Sequence, residues 1–177
     1  MNKIEKLIAE LCPNGVEFKM LGDVTDIYTG TQFNKRDMDK VGQYPVINGG
    51  IDASGYSDKF NETENTITIS QGGASAGFVN WIKTKFWAGA HCYVIRPNYK
   101  ELDNRYLYFF LKDKQIQIMD SKHGAGIPGL NSDKIRKLLI PLPPLPIQQE
   151  IVNILDKFTE LEAELEAELE ARKKQYE

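Results

Sequence analysis

Residues 141–177 read PLPPLPIQQEIVNILDKFTELEAELEAELEARKKQYE, and this stretch decides how the chain is organised. Past the prolines, Ile147, Ile151, Ile154, Phe158, Leu161 and Leu165 recur at alternating spacings of four and three. That spacing lines one face of an α-helix with apolar side chains. The run holds no glycine or proline and reaches Glu177 without a stop signal. At about 1.5 Å per residue it predicts a rod roughly 45 Å long, more than a compact domain of this size requires. The step from Leu165 to Leu169 departs from the heptad. Phe158, Leu161, Leu165 and Leu169 approach eleven residues in three turns, which relaxes a left-handed supercoil locally. Such a helix either folds back onto its own domain or stands out as a strut seeking a partner. Charge favours the strut. From Ile147 onward there are nine acidic and four basic residues, so the surface around the stripe must be wet.

Working outward, the chain has 177 residues and 41% hydrophobic content, enough for one globular domain plus the helix. Of its 22 basic and 25 acidic residues, 18 and 16 fall in residues 1–146. The body is therefore slightly basic, and the sequence pI of about 5.5 reflects the helix. That balance permits nucleic-acid binding without demonstrating it. Cys12 and Cys92 match no zinc spacing or disulfide framework. The aromatic-aliphatic run Tyr106 to Leu111 is too short to span a bilayer, and the N-terminus lacks a signal peptide's apolar core. A cytoplasmic protein that does not engage a membrane is expected.

Within the body, Ile4, Leu7, Ile8 and Leu11 predict a short amphipathic helix stopped at Pro13-Asn14-Gly15. A mixed region runs to about Gly30, followed by a polar stretch from Thr31 to Lys40. Tyr44 to Ile47 predicts a strand, Asn48 to Asn65 a long loop, and Thr66 to Ser70 a half-buried strand. Gln71 to Gly77 is a second glycine-rich loop. Phe78 to Trp81 and Phe86 to Arg96 are strand-like, and Asn104 to about Asp120 is helical. A third loop, His123 to Gly129, leads to a brief helix at Ser132 to Lys137 and a strand at Leu138 to Ile140. The fold class is α+β, with residues 1–146 as the globular domain and 147–177 as a helix forming a coiled coil.

Two motifs mimic catalytic sites. Gly73-Ala74-Ser75-Ala76-Gly77 fits G-x-S-x-G, but a nucleophile elbow must open a helix, and Phe78-Val79-Asn80-Trp81 reads as a strand. Its small residues instead suit a close backbone approach. Gly124 to Gly129 fits G-x-G-x-x-G but carries Pro128 and lacks the strand before it and full helix after it. His91, in an aromatic strand, reads as a core histidine, whereas His123 beside Lys122 could meet an anion. PLPPLP contains two P-x-x-P matches. It reads as a stiff connector whose last proline starts the helix rather than as an SH3-type ligand.

Leu7 to Val24 (LIAELCPNGVEFKMLGDV), ITISQGGASAGFVNW with FWAGAHCYVI after it, and GIPGLNSDKIRKLLIPLPPLPIQQEIVNILDKF together resemble the DNA-specificity (S) subunit of type I restriction–modification systems. The most specific element is the I-P-L-P-P-L-x-x-Q-x-x-I junction, Ile140 to Ile151 with Gln148. The resemblance implies a target-recognition domain of α+β type joined to a conserved spacer helix, reading one half of a bipartite target on double-stranded DNA. It also implies a non-catalytic chain without a cofactor, which positions methylation subunits and, through them, the restriction subunit. One recognition domain and one uncapped helix suggest a half-subunit or an N-terminal fragment. Purified alone, such a chain is expected neither to methylate DNA nor to bind S-adenosylmethionine. No Asn-Pro-Pro-Tyr or Asp-Pro-Pro-Tyr motif is present.

On that resemblance, Gln32, Lys35, Arg36, Asn48, Ser54, Tyr56, Gln71, Ser75, Lys122 and His123 are the candidate DNA-binding residues. Gln and Asn can pair with adenine, and Arg and Lys with guanine or phosphate. Ile147, Ile151, Ile154, Phe158, Leu161, Leu165 and Leu169 are the candidate dimerisation residues. They suit self-association, or pairing with a second half-subunit, through antiparallel helices. A coiled-coil adaptor without DNA specificity and a Ser75 hydrolase are the competing readings.

Overall fold

The computed structural model describes residues 3–121 and 129–176. Helix α1 (Lys3–Leu11) ends before Pro13, and strand β1 (Phe18–Met20), helix α2 (Leu21–Val24) and strand β2 (Thr25–Thr29) follow. The polar stretch holds one 3-10 turn, Lys35–Asp37. Next come β3 (Tyr44–Ile47), β4 (Gly55–Ser57), β5 (Thr66–Ser70), β6 (Val79–Ile82), β7 (Trp87–Ala88) and β8 (Cys92–Pro97). Helices α3 (Asn104–Asp113), α4 (Gln115–Asp120) and α5 (Ser132–Arg136), strand β9 (Leu139–Pro141) and helix α6 (Leu145–Tyr176) complete the α+β architecture. Among the described residues, no helix is long and apolar enough to cross a membrane.

The centre is a four-stranded antiparallel sheet in the order β2-β8-β5-β6. One face carries Ile27, Ile67, Ile69, Tyr93 and Ile95, which pack with Leu102, Leu107 and Leu111 of the α3 region and with Ile135, Ile140 and Val152. The other face carries Val94 and Cys92, packed with Ile47, Phe86 and Ala88 beneath the three-stranded sheet β4-β3-β7. Each fully buried Leu, Ile or Phe contributes about 1.5–3 kcal/mol. β5 lies between these layers, so all five of its residues are buried. The half-buried reading of Thr66 to Ser70 is corrected on this point. Thr68 pairs with Val94 and shares its face, which the second sheet covers. Alternating polarity alone cannot distinguish a solvated face from one roofed by another sheet.

The segment expected to be one long loop, Asn48 to Asn65, contains β4, paired antiparallel with β3, and a bridge from Glu62 to Phe86. Phe86 to Arg96 divides into β7 and β8 around a turn at Gly89–His91. Asn104 to Asp120 divides at Lys114 into α3 and α4. Asp103 caps α3, its carboxylate accepting from the amides of Arg105 at 2.8 Å and Tyr106 at 2.9 Å. Gly77 answers what the small residues around Ser75 are for. Its φ is +93°, and a Cβ there would lie 2.8 Å from the backbone of Met119 on α4. Gly77→Ala should cost about 2 kcal/mol, from positive-φ strain and the clash. Urea melts would check this; an unchanged midpoint would mean that α4 gives way.

The root of α6 is built into the body. Ile147 and Val152 are buried, Ile151 packs against the core, and Gln148 is fully buried among backbone groups. Its Oε1 accepts from the Asp103 amide at 2.8 Å. Its Nε2 donates to the carbonyls of Glu101 at 2.8 Å and Pro143 at 2.7 Å. About two turns farther out, Arg105 donates through Nε at 2.8 Å and Nη2 at 2.6 Å to Asp156 Oδ1. Its guanidinium lies 4.7–4.9 Å from the ring centroids of Trp81, Tyr108 and Phe109. On the other side Lys3 of α1 pairs with Glu150. The helix therefore leaves the body at a fixed angle. Beyond the root, Ile154, Phe158, Leu161, Leu165 and Leu169 are between 37% and 64% exposed.

Candidate nucleic-acid interface

Strand registers give the body two distinct ends. Thr25 pairs with Pro97 and Thr66 with Ile82 at one end; Thr29 pairs with Tyr93, Ser70 with Cys92 and Ile69 with Val79 at the other. The first end carries Asn98 to Asp103 and, bonded to it, Gln148 of α6. The opposite end is a rim of loops: 48–54 after β3, 71–77 after β5, and 89–91 between β7 and β8. Backbone bonds knit the rim together. Gly89 N–H donates to Ile47 O at 2.8 Å, Gln71 N–H to His91 O at 2.9 Å, and Leu130 N–H to Gln71 O at 2.8 Å. The Ser70 hydroxyl donates to Gly50 O at 3.1 Å and Asn80 Nδ2 to Ile51 O at 3.2 Å. Loops fastened in this way to a rigid sheet are where binding residues concentrate.

The rim gathers Asn48, Ser54, Gln71 and Ser75. Two of these side chains already have internal partners. Asn48 Oδ1 accepts from His91 N at 3.1 Å, and Gln71 Nε2 donates to Tyr93 Oη at 3.0 Å, whose hydroxyl in turn donates to Leu130 O at 2.8 Å. Ser54 is exposed and Ser75 half-buried. Ser75 sits in a turn that leads through Phe78 into β6, not into a helix. Lys122 and His123, with most of the third glycine loop, lie outside the described residues.

Gln32, Lys35, Arg36 and Tyr56 form a separate patch on the flank of the three-stranded sheet. There Asp39 bridges to Tyr56, and Phe33 packs edge-on against Trp87. All four are exposed, and Gln32 Nε2 donates to Phe33 O at 3.3 Å. The two cations have acidic company. Asp37 Oδ1 is 3.7 Å from Arg36 Nε, and Asp37, Asp39 and Asp58 line a hollow with Lys59 beside them. Three other arginines hold the fold instead. Arg105 binds the helix root and Arg136 donates to Ile27 O. Arg96 donates to Tyr28 Oη at 3.1 Å and to Glu62, while the Tyr28 hydroxyl donates to Glu62 at 3.0 Å. Burial alone would lower Arg96, but its bonds to Tyr28 and Glu62 outweigh that and hold it above the usual range; burial likewise pushes the Tyr28 hydroxyl up. Burial drives the Cys92 thiol up to about 12, so it remains a neutral core group.

His91 is the residue that the pattern misplaced. It is exposed at the centre of the rim, not buried in a strand, because the backbone turns at Gly89. The run Ala88-Gly89-Ala90 interrupts the aromatic and β-branched residues and was the available signal. The PLPPLP segment is likewise not a free ligand. Pro141 closes β9, Pro143 is buried and bonded to Gln148, and Pro146 lies in the first turn of α6.

The chain is thus an α+β body with a rim of polar loops at one end and a long helix rooted at the other. The chain belongs to the type I restriction modification DNA specificity domain family, whose sequence profile matches residues 13–171. It is 31% identical over 144 residues to a putative type I specificity subunit of Mycoplasma genitalium, covering 80% of this chain and 37% of that protein. A putative type I restriction enzyme specificity subunit of Haemophilus influenzae is 31% identical over 153 residues, covering 84% and 39%. The chain thus spans about two-fifths of the length of these relatives. The crystal structure of a type I restriction-modification S subunit from M. genitalium superposes with a TM-score of 0.75 at 28% identity, covering 83% of this chain and 40% of that one. The HsdS subunit from Thermoanaerobacter tengcongensis, at 20% identity and a TM-score of 0.65, shares the fold.

Proposed function

We propose that this chain recognises one half of a bipartite sequence on double-stranded DNA. It is read as the specificity component that positions the methylation and restriction subunits of a type I restriction–modification complex in the cytoplasm. It has no catalytic role of its own in this reading; methylation and cleavage belong to the partners. The observation that carries the proposal is the separation of ends, with a polar rim presented on a rigid sheet opposite a helix root fixed by Gln148 and Arg105. Residues 1–146 are the recognition body. Residues 147–177 are the spacer, its first turns seated in that body.

The exposed stripe from Ile154 to Leu169 supports a second part of the proposal, pairing with another copy or a second half-subunit through antiparallel helices. Ile147 and Ile151, engaged with the chain's own core, act in the root. Selection of bound sequences from a duplex library, with and without a methylation subunit, tests the recognition. A defined half-site should emerge. A pool with no base preference in either condition would leave the adaptor reading in its place. On the flank, Lys35→Ala with Arg36→Ala should weaken binding to all sequences alike. The salt slope should flatten by about one unit for each phosphate that is no longer neutralised. An unchanged slope would remove this patch from the interface.

A further inference from the structure

We infer that His91 is a specificity-determining residue of the recognition rim, donating a hydrogen bond from its imidazole to the N7 edge of a purine. This rests on the DNA-recognition reading and adds a residue and a chemistry to it. The rim loops read NGGIDAS (Asn48 to Ser54), QGGASAG (Gln71 to Gly77) and GAH (Gly89 to His91), and they hold no lysine or arginine. These three loops cannot clamp phosphates by charge, and their larger polar groups are few. The side-chain oxygen of Asn48 and the amide of Gln71 are engaged internally. His91 is exposed, and its imidazole makes no hydrogen bond or ion pair among the described residues.

Its backbone, by contrast, is fastened on both sides. The N–H donates to Asn48 Oδ1 at the end of β3, and the carbonyl accepts from Gln71 N–H at the end of β5. The turn beneath it closes through Cys92 N–H to Gly89 O at 3.2 Å. A Cβ at Gly89 would lie 2.6 Å from Asn48 Oδ1, so a larger residue there would push aside the side chain that holds His91 N–H. Facing the ring's own Cβ is Gly49, which offers no side chain to cover it. A two-torsion side chain on a rigid platform is pre-organised in the way that base discrimination requires. Imidazole carries an N–H donor in either protonation state. In the major groove adenine and guanine both present N7 as an acceptor, whereas cytosine presents a donor at the corresponding edge.

The test uses the full chain and purine-substituted duplexes. Selection from a random duplex library with the parent chain and with His91→Ala should give two preferences that differ at one purine position and agree elsewhere. At that position, replacing N7 by C–H with a 7-deazapurine should weaken the parent up to about tenfold, the worth of one hydrogen bond. The same replacement should leave His91→Ala unaffected, which a merely structural histidine would not do. Equal melting temperatures would confirm that both proteins are folded. His91→Ala retaining the parent's preference, or responding to the deazapurine as the parent does, overturns the inference alone. A parent without any base preference overturns the recognition reading, and this one with it.

Discussion

Gln148→Leu is expected to lower the stability of the body by about 3 kcal/mol and to loosen the helix from it. Leucine keeps the volume but offers no polar atom. The Asp103 amide and the carbonyls of Glu101 and Pro143 would then be left without their side-chain partner. Because a buried unsatisfied polar group costs about 1–3 kcal/mol, the loss should greatly exceed that of an ordinary isosteric core change. Gln148→Glu keeps the acceptor for Asp103 N–H but turns a second oxygen toward two carbonyls. It should be no better at neutral pH. Urea unfolding followed by circular dichroism measures both. A loss below about 1 kcal/mol for leucine would show that water replaces the amide.

Ile154→Glu and Leu161→Glu together should convert a self-associated chain to monomer while leaving the body folded. Both side chains are exposed in the single chain, so the substitutions remove nothing from its own core. In a symmetric pair each is buried in both copies, and each burial is worth about 1.5–3 kcal/mol. The dissociation constant should rise by at least about 10⁴-fold, before the added repulsion among Glu160, Glu162 and Glu164 is counted. Sedimentation equilibrium gives the answer directly. A parent chain that is monomeric at high concentration, or that crosslinks at Leu161 in parallel register, would sink the antiparallel pair.

How much of this was legible in the sequence depended on the range of the interaction. Thr66–Ser70 declared itself through local alternation, Tyr44–Ile47 as a short strand, and the long helix through its four-three spacing. Gly55–Ser57 did not, since three residues including a glycine become a strand only by pairing with β3. Gln148 stood out as part of a motif, yet its purpose lies in backbone groups 45 and 47 positions away. Among the candidate readers, Asn48 and Gln71 have the right chemistry, but their partners lie 43 and 22 positions away and could not be seen locally. His91 was hidden for the converse reason. It sits within a run rich in aromatic and β-branched residues, Phe86 to Ile95, and only the turn at Gly89 lifts it out of them.

The acidic helix gives the molecule an electrical direction. Residues 1–146 carry a small positive excess, and residues 147–177 a net charge of −5, spread along a rod whose root lies at the end of the body away from the rim. In the strong negative field of a duplex such an object experiences a torque, since its tail is repelled while its head is not. If the chain reads DNA as proposed, this favours approach body first and keeps the strut from lying along the phosphates. Added salt weakens the torque as it shortens the reach of the field. On that proposal, the proportion of encounters that begin in the productive orientation should fall with ionic strength.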